Sequence, residues 1–190
     1  GHTVHRPDGT GAPGCVAGRT AAHTGPMRRT ITADLAASPA AVYTRLADLD
    51  ADGEWMDLVS RVEPAATDPG DAGPAWWVTL RANVGPLARS KRLRMVRTGA
   101  DAPAALRFER RELDGRRHSP WVLDVAIAPA DAGDDTVADD GADDGAAASR
   151  VVVDLGYDGG LWDPLLERIL GSNVDTAVPR LQALVAGPPR

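Results

Sequence analysis

The sequence predicts an α+β fold, a curved antiparallel sheet of about seven strands wrapped around one long C-terminal helix, with two short helices after the first strand. Three observations predict it. Seven segments alternate apolar and polar residues with period two, the period of a strand with one buried face. Apolar residues recur at helical spacing in a short stretch, 39–49, and a long one, 161–184. Turn signals separate the strands at short intervals, which suits antiparallel neighbours. A sheet with one apolar face must cover it, and only the long helix is large enough.

Each element has its own warrant. Arg29, Ile31, Ala33 and Leu35 alternate with Thr30, Thr32 and Asp34, so the chain enters as a strand. Ser38-Pro39 reads as a side-chain cap followed by proline at the first helical position. Val42, Leu46 and Leu49 then share one helical face, and Glu54–Leu58 makes a second short helix carrying Trp55. Val59–Pro64 is a strand, and the Asp/Pro/Gly cluster at 68–74 is a loop. Trp76, Val78, Leu80, Ala82 and Val84 form one face of the next strand, which Gly85-Pro86 turns. In 87–98, Leu93 and Met95 share a face with Arg89, Lys91 and Arg97; in 104–113, Leu106, Phe108, Arg110 and Glu112 do so.

Asp114-Gly115 is the strongest hairpin signal. A two-residue loop there pairs 112 with 117, 110 with 119, 108 with 121 and 106 with 123, which sets Phe108 against Trp121 and Leu106 against Leu123. Strands 121–128 and 151–157 follow, with Trp121, Leu123, Val125, Ile127, Val151, Val153, Leu155 and Tyr157 on their apolar faces. The final helix is expected to start near Asp163-Pro164, kink at Pro179 and end at Gly187-Pro188.

The formal net charge of −6 is concentrated in one place. Residues 130–149 hold seven aspartates and no Lys or Arg, in a low-complexity stretch with almost nothing to pack. Its spacing does not fit a calcium loop, and a flexible solvated insert is expected. Without it the chain would carry +1. Residues 81–117 hold eleven bases and four acids, a surface able to steer an anionic partner such as an acidic carrier protein, to attract the insert, or simply to be solvated. Arg81, Arg92, Arg94, Arg107 and Arg111 are expected to face outward. Residues 1–27 lack periodicity and the apolar core of a secretory signal, so they read as a disordered tail, with a tag scar at Gly1-His2, ahead of a single domain over 28–187.

Several chemistries are excluded or weakened. No apolar run approaches 18 residues, which argues against membrane insertion and, with the missing secretory core, for a cytoplasmic protein. Net acidity gives no reason to expect nucleic acid. Cys15 is the only cysteine, and three of four histidines lie in the tail, leaving His118 on an outward face. No nucleophilic triad, phosphate-binding loop, metal site or cofactor is expected.

The segments SPAAVYTRLADLDADGEWMDLVSRVE, VGPLARSKRLRM and RVVVDLGYDGGLWDPLLERIL, in this order of elements, resemble the SRPBCC superfamily. This is the helix-grip fold of START lipid-transfer domains, birch-pollen-allergen-like proteins and polyketide cyclases. The likeness spans about 28–186 and is greatest to bacterial polyketide cyclase/dehydrase-like and carbon-monoxide-dehydrogenase-subunit-G-like proteins. It implies an apolar or aromatic small molecule bound between sheet and helix. It also implies that a minority reading, cyclisation and aromatisation of a polyketide chain, stays open beside an accessory or assembly role.

The expected pocket is formed by Trp55, Trp76, Val78, Leu80, Leu93, Met95, Phe108, Trp121, Leu123, Tyr157, Leu161, Trp162, Leu165 and Leu166. The bland alternative for the same residues is an ordinary core, and the resemblance favours a cavity among them. Trp55 suits either the pocket mouth or a bolt between the short helices and the sheet. Arg110 and Tyr157 are the candidate polar groups for polarising a carbonyl. Against that, Arg110 and Glu112 lie near a turn, where Glu112 and Arg117 would form a rim ion pair. Trp77 points outward and could mark a homodimer patch.

Overall fold

The computed structural model describes residues 27–84, 87–130, 148–158 and 176–187. Its strands are β1 (Met27–Leu35), β2 (Val59–Ala65), β3 (Ala75–Val84), β4 (Leu87–Asp101), β5 (Ala105–Arg110), β6 (Trp121–Pro129) and β7 (Ser149–Tyr157). They form one seven-stranded sheet in the order β1-β7-β6-β5-β4-β3-β2, with every neighbouring pair antiparallel. The expected fold class is therefore the observed one. β1 and β2 lie at opposite edges, and the connection between them carries helix α1 (Pro39–Leu46), a 3-10 turn (Leu49–Ala51) and helix α2 (Asp52–Trp55). Pro64 is accommodated because β2 is an edge strand, where a missing N–H breaks no ladder.

α1 begins as the sequence dictates. Ser38 is extended and its side chain accepts from the Ala41 N–H at 3.3 Å, while Pro39 occupies the first turn. Val42 and Leu46 are buried toward the sheet. At the other end Arg97, from the inner face of β4, donates to the carbonyl of Ala47 at 2.9 Å, which satisfies an orphan acceptor and complements the helix dipole.

Residues 176–186 are helical and are called α3. Ala177 and Leu181 enter the core, and Val178, Leu184 and Val185 pack against it. The rest of the expected long helix, 161–175, lies outside the described residues, as do the tail and most of the acidic insert. Pro179 sits within the helical residues 176–186. α3 and the residue after it are tied by side chains to the sheet, to α1 and to the turn between α2 and β2: Gln182 donates to the Asp34 carbonyl at 3.1 Å, Arg45 to the Gly187 carbonyl at 2.7 Å, and Arg180 pairs with Asp57.

Two expectations need correction. The β5–β6 register pairs Phe108 with Leu123 and Leu106 with Val125, two residues away from the two-residue hairpin. β5 ends at Arg110, and a ten-residue connection, 111–120, replaces the tight turn. Asp114-Gly115 still turns: Asp114 accepts from the Arg116 N–H at 3.0 Å, and Gly115 has φ of 69°, a left-handed conformation that favours glycine. The reason for the longer loop is that the chain after Arg110 follows β4, with the Arg111 N–H donating to the Arg94 carbonyl at 2.9 Å. On the returning side, Pro120 has no N–H to offer a ladder. Because the slip is by two residues, each side chain keeps its expected face.

The second correction is Arg94. It lies on the outer face but is only 1% exposed, because the 66–74 loop folds over it. Its guanidinium grips both oxygens of Asp71, at 3.1 and 2.5 Å, and donates to the carbonyls of Ala66 and Arg111 at 2.8 and 3.1 Å. The loop sits so close that a Cβ on Gly73 would stand 2.7 Å from the Arg97 carbonyl oxygen. Glycine there is a packing requirement.

Candidate functional site

The inner face of the sheet is apolar over its middle strands. Trp76, Val78 and Leu80 from β3 stand beside Met95, Leu93 and Lys91 from β4, pair by pair. Met95 is opposite Arg110, and Phe108 is opposite Leu123. Trp76 and Phe108 meet edge to face, with centroids 5.9 Å apart and planes at 68°. Trp76, Val78, Leu80, Leu93, Met95, Phe108, Trp121, Leu123 and Tyr157 are all buried in one cluster. These sequence-expected residues are thus brought together. Leu161, Trp162, Leu165 and Leu166 lie outside the described residues. Trp55 is 1% exposed and belongs to the same cluster.

This face has a polar end. Trp121 and Tyr157 are cross-strand partners on β6 and β7, with ring centroids 4.6 Å apart. The Lys91 ammonium lies 5.7 Å from the centre of the Tyr157 ring. The indole Nε1 of Trp121, buried with a residue exposure of 4%, has no hydrogen-bond partner among the described residues. Burial holds Lys91 below the usual lysine range, and the nearby charge of Arg110 adds to this, while Glu112 opposes it.

Arg110 and Glu112 form an ion pair at 2.7 Å, with side-chain exposures of 6% and 13%. This replaces the expected rim pair between Glu112 and Arg117. Glu112 also accepts from the Arg94 backbone N–H at 3.3 Å. The guanidinium of Arg110 donates to the Ser119 carbonyl at 3.2 Å and stands 3.1 Å from Nδ1 of His118. His118 Nε2 lies 2.8 Å from Asp114. An arginine can only donate, so Nδ1 accepts from Arg110 and Nε2 donates to Asp114. Arg110, Glu112, His118, Ser119 and Trp121 help to frame a recess of about 360 Å³ at the ends of β5 and β6. Sequence reasoning missed the Arg110–His118–Asp114 chain. Its signal was present, since Asp114 and His118 flank the turn glycine four residues apart.

The outer face is laced with ion pairs. Arg107 bonds Glu109 at 2.8 Å and Asp124 at 2.6 Å, Arg111 bonds Glu109 at 2.6 Å, and Arg92 bonds Glu63 at 3.3 Å. Hydrogen bonds from Arg107, then from Arg111, hold the Glu109 carboxyl below its ordinary range. Arg92 also covers Trp77, 4.6 Å from the ring centre, so Trp77 faces outward as expected but is half-buried. Among the described residues, no three His, Cys, Asp or Glu side chains are grouped to hold a metal ion, and no helix is long and apolar enough to cross a membrane.

No protein-family model matches the chain, and no curated protein matches it. Solved structures do. A START superfamily protein from Mycobacterium smegmatis aligns with TM-score 0.57 and 13% identity, over 83% of this chain and 96% of that one. TTHA0849 from Thermus thermophilus aligns with TM-score 0.55 and 18% identity, over 84% and 97%. StfQ, a di-domain ARO/CYC from the steffimycin biosynthetic pathway, aligns with TM-score 0.54 and 12% identity, over 84% of this chain and 50% of that one. These alignments and the observed strand order show that the chain has the helix-grip fold.

Proposed function

We propose that the protein binds an apolar or aromatic small molecule on the inner face of the sheet, beneath the C-terminal helix. The observation that carries this reading is the make-up of that face. Flat and aliphatic side chains, Trp76, Phe108, Met95, Leu93 and Leu123, run up to a polar edge formed by Lys91, Trp121, Tyr157 and Arg110. Aromatic walls with a few polar groups at one end suit a small amphipathic ligand. The strand order and the likeness to START and ARO/CYC structures support the fold on which such binding rests.

A second reading is catalysis of the polyketide cyclase/aromatase kind, favoured by the placement of two polar side chains, Arg110 and Tyr157, toward one end of the face. In that reading Arg110 and Tyr157 are both candidates to polarise a carbonyl, with the guanidinium of Arg110 held in place by Glu112, Ser119 and His118. An accessory role through the surface gains less, since Trp77 lies under Arg92. Native mass spectrometry of freshly purified protein tests the binding reading. A co-purifying small molecule, released when the protein is denatured, is expected; a homogeneous apo mass together with no uptake of added aromatic compounds would overturn it.

A further inference from the structure

We infer that the molecule bound on the inner face ends in a carboxylate, with one oxygen accepting a hydrogen bond from Trp121 Nε1 beside the Lys91 ammonium. This rests on the binding reading above and names the chemical class of its ligand.

A buried donor without an acceptor costs the protein free energy, so buried donors are almost always paired. Trp121 Nε1 is such a donor among the described residues, on a residue only 4% exposed. An indole is donor-only, so whatever completes it must bring a lone pair. The charge around it says which kind. Lys91 borders the Tyr157 ring, which itself packs on Trp121. Burial and the charge of Arg110 both disfavour the Lys91 ammonium, and Glu112 favours it. An anion arriving beside Lys91 stabilises the ammonium and supplies the missing acceptor, whereas a neutral carbonyl does chiefly the second. The apolar remainder of the face then sets the rest of the molecule as a flat or aliphatic body.

The test uses the full chain and two probes, 2-naphthoate and 2-methylnaphthalene, titrated by naphthalene fluorescence against wild type, Trp121→Phe and Lys91→Met. Wild type is expected to bind naphthoate about tenfold or more tightly than methylnaphthalene, the size of a charge-assisted hydrogen bond. Each substitution is expected to remove most of that preference, read as the ratio of the two probes' affinities within each variant, so that a loss of apolar contact common to both probes cancels. Equal binding of both probes to wild type, or a preference that survives both substitutions, overturns the carboxylate and leaves the binding reading standing. Failure of wild type to bind either probe overturns both.

Discussion

Arg94 and Asp71 form a two-pronged ion pair beneath the 66–74 loop, with side-chain exposures of 1% and 6%. The pair fastens an otherwise irregular loop to the outer face of β4. It is also the place where acid should first loosen the fold. The hydrogen bond from Arg94 holds the Asp71 carboxyl below its ordinary range, against the opposing effect of burial. A carboxyl whose folded pKa is depressed contributes stability that is complete above its unfolded pKa and is lost as pH falls through the folded value. Asp71→Asn is therefore expected to cost about 3 kcal/mol at neutral pH, the low end for breaking a buried pair, because one loop alone separates it from water. Urea midpoints measured from about pH 6 to 3 should fall less steeply for the variant than for wild type. Parallel pH profiles would show that the pair contributes nothing to acid sensitivity.

Phe108 is fully enclosed and meets the Trp76 ring edge to face. Phe108→Ala should cost about 3–5 kcal/mol in urea unfolding, and Phe108→Leu about 1–2 kcal/mol, because leucine refills much of the volume. The two costs should differ clearly. Near-equal, small losses would mean that the space around Phe108 is loosely packed.

The face assignments of the middle strands were legible because alternation survives an error of register. Asp114-Gly115 suggested a two-residue hairpin, and the pairing is two residues away from it, yet Leu106, Phe108 and Arg110 keep their expected side. What sequence could not convey was competition for backbone partners. The carbonyl of Arg94 takes the Arg111 N–H, and Pro120 cannot donate, so β5 stops early and the loop lengthens. Arg94 was misjudged for a related reason: period two gives a face but not what lies above it, and the covering loop has no periodicity of its own. The buried set of the inner face was readable residue by residue over the described strands. Its polar end was not, because the partners of Arg110 depend on the path of the 111–120 loop.

Ser38 caps α1 through a single long bond to the Ala41 N–H, 3.3 Å. Ser38→Ala should cost about 0.5–1 kcal/mol, toward the lower half of the usual range for a cap. Ser38→Gly should cost only a few tenths, since glycine tolerates the cap conformation. Thermal denaturation followed by circular dichroism distinguishes these. A loss from Ser38→Ala as large as that from Phe108→Ala would mean that the serine does more than cap.

Lys91 is the one lysine of the chain, which allows its charge to be read directly. Reductive methylation with ¹³C-formaldehyde labels it and the N-terminus, and the lysine signal can be titrated by NMR in the folded and the urea-unfolded protein. The folded signal is expected to titrate at lower pH, first because burial disfavours the ammonium and second because Arg110 repels it. The two neighbours should then move it in opposite directions. Arg110→Met removes the repulsion and should raise the midpoint. Glu112→Gln removes the attraction and should lower it further. Because the folded pKa lies below the unfolded one, the unfolded chain holds the extra proton between the two values, so this group adds stability as pH rises through that window. A folded midpoint equal to the unfolded one, or shifts in the reverse order, would place the ammonium in water and away from the inner face.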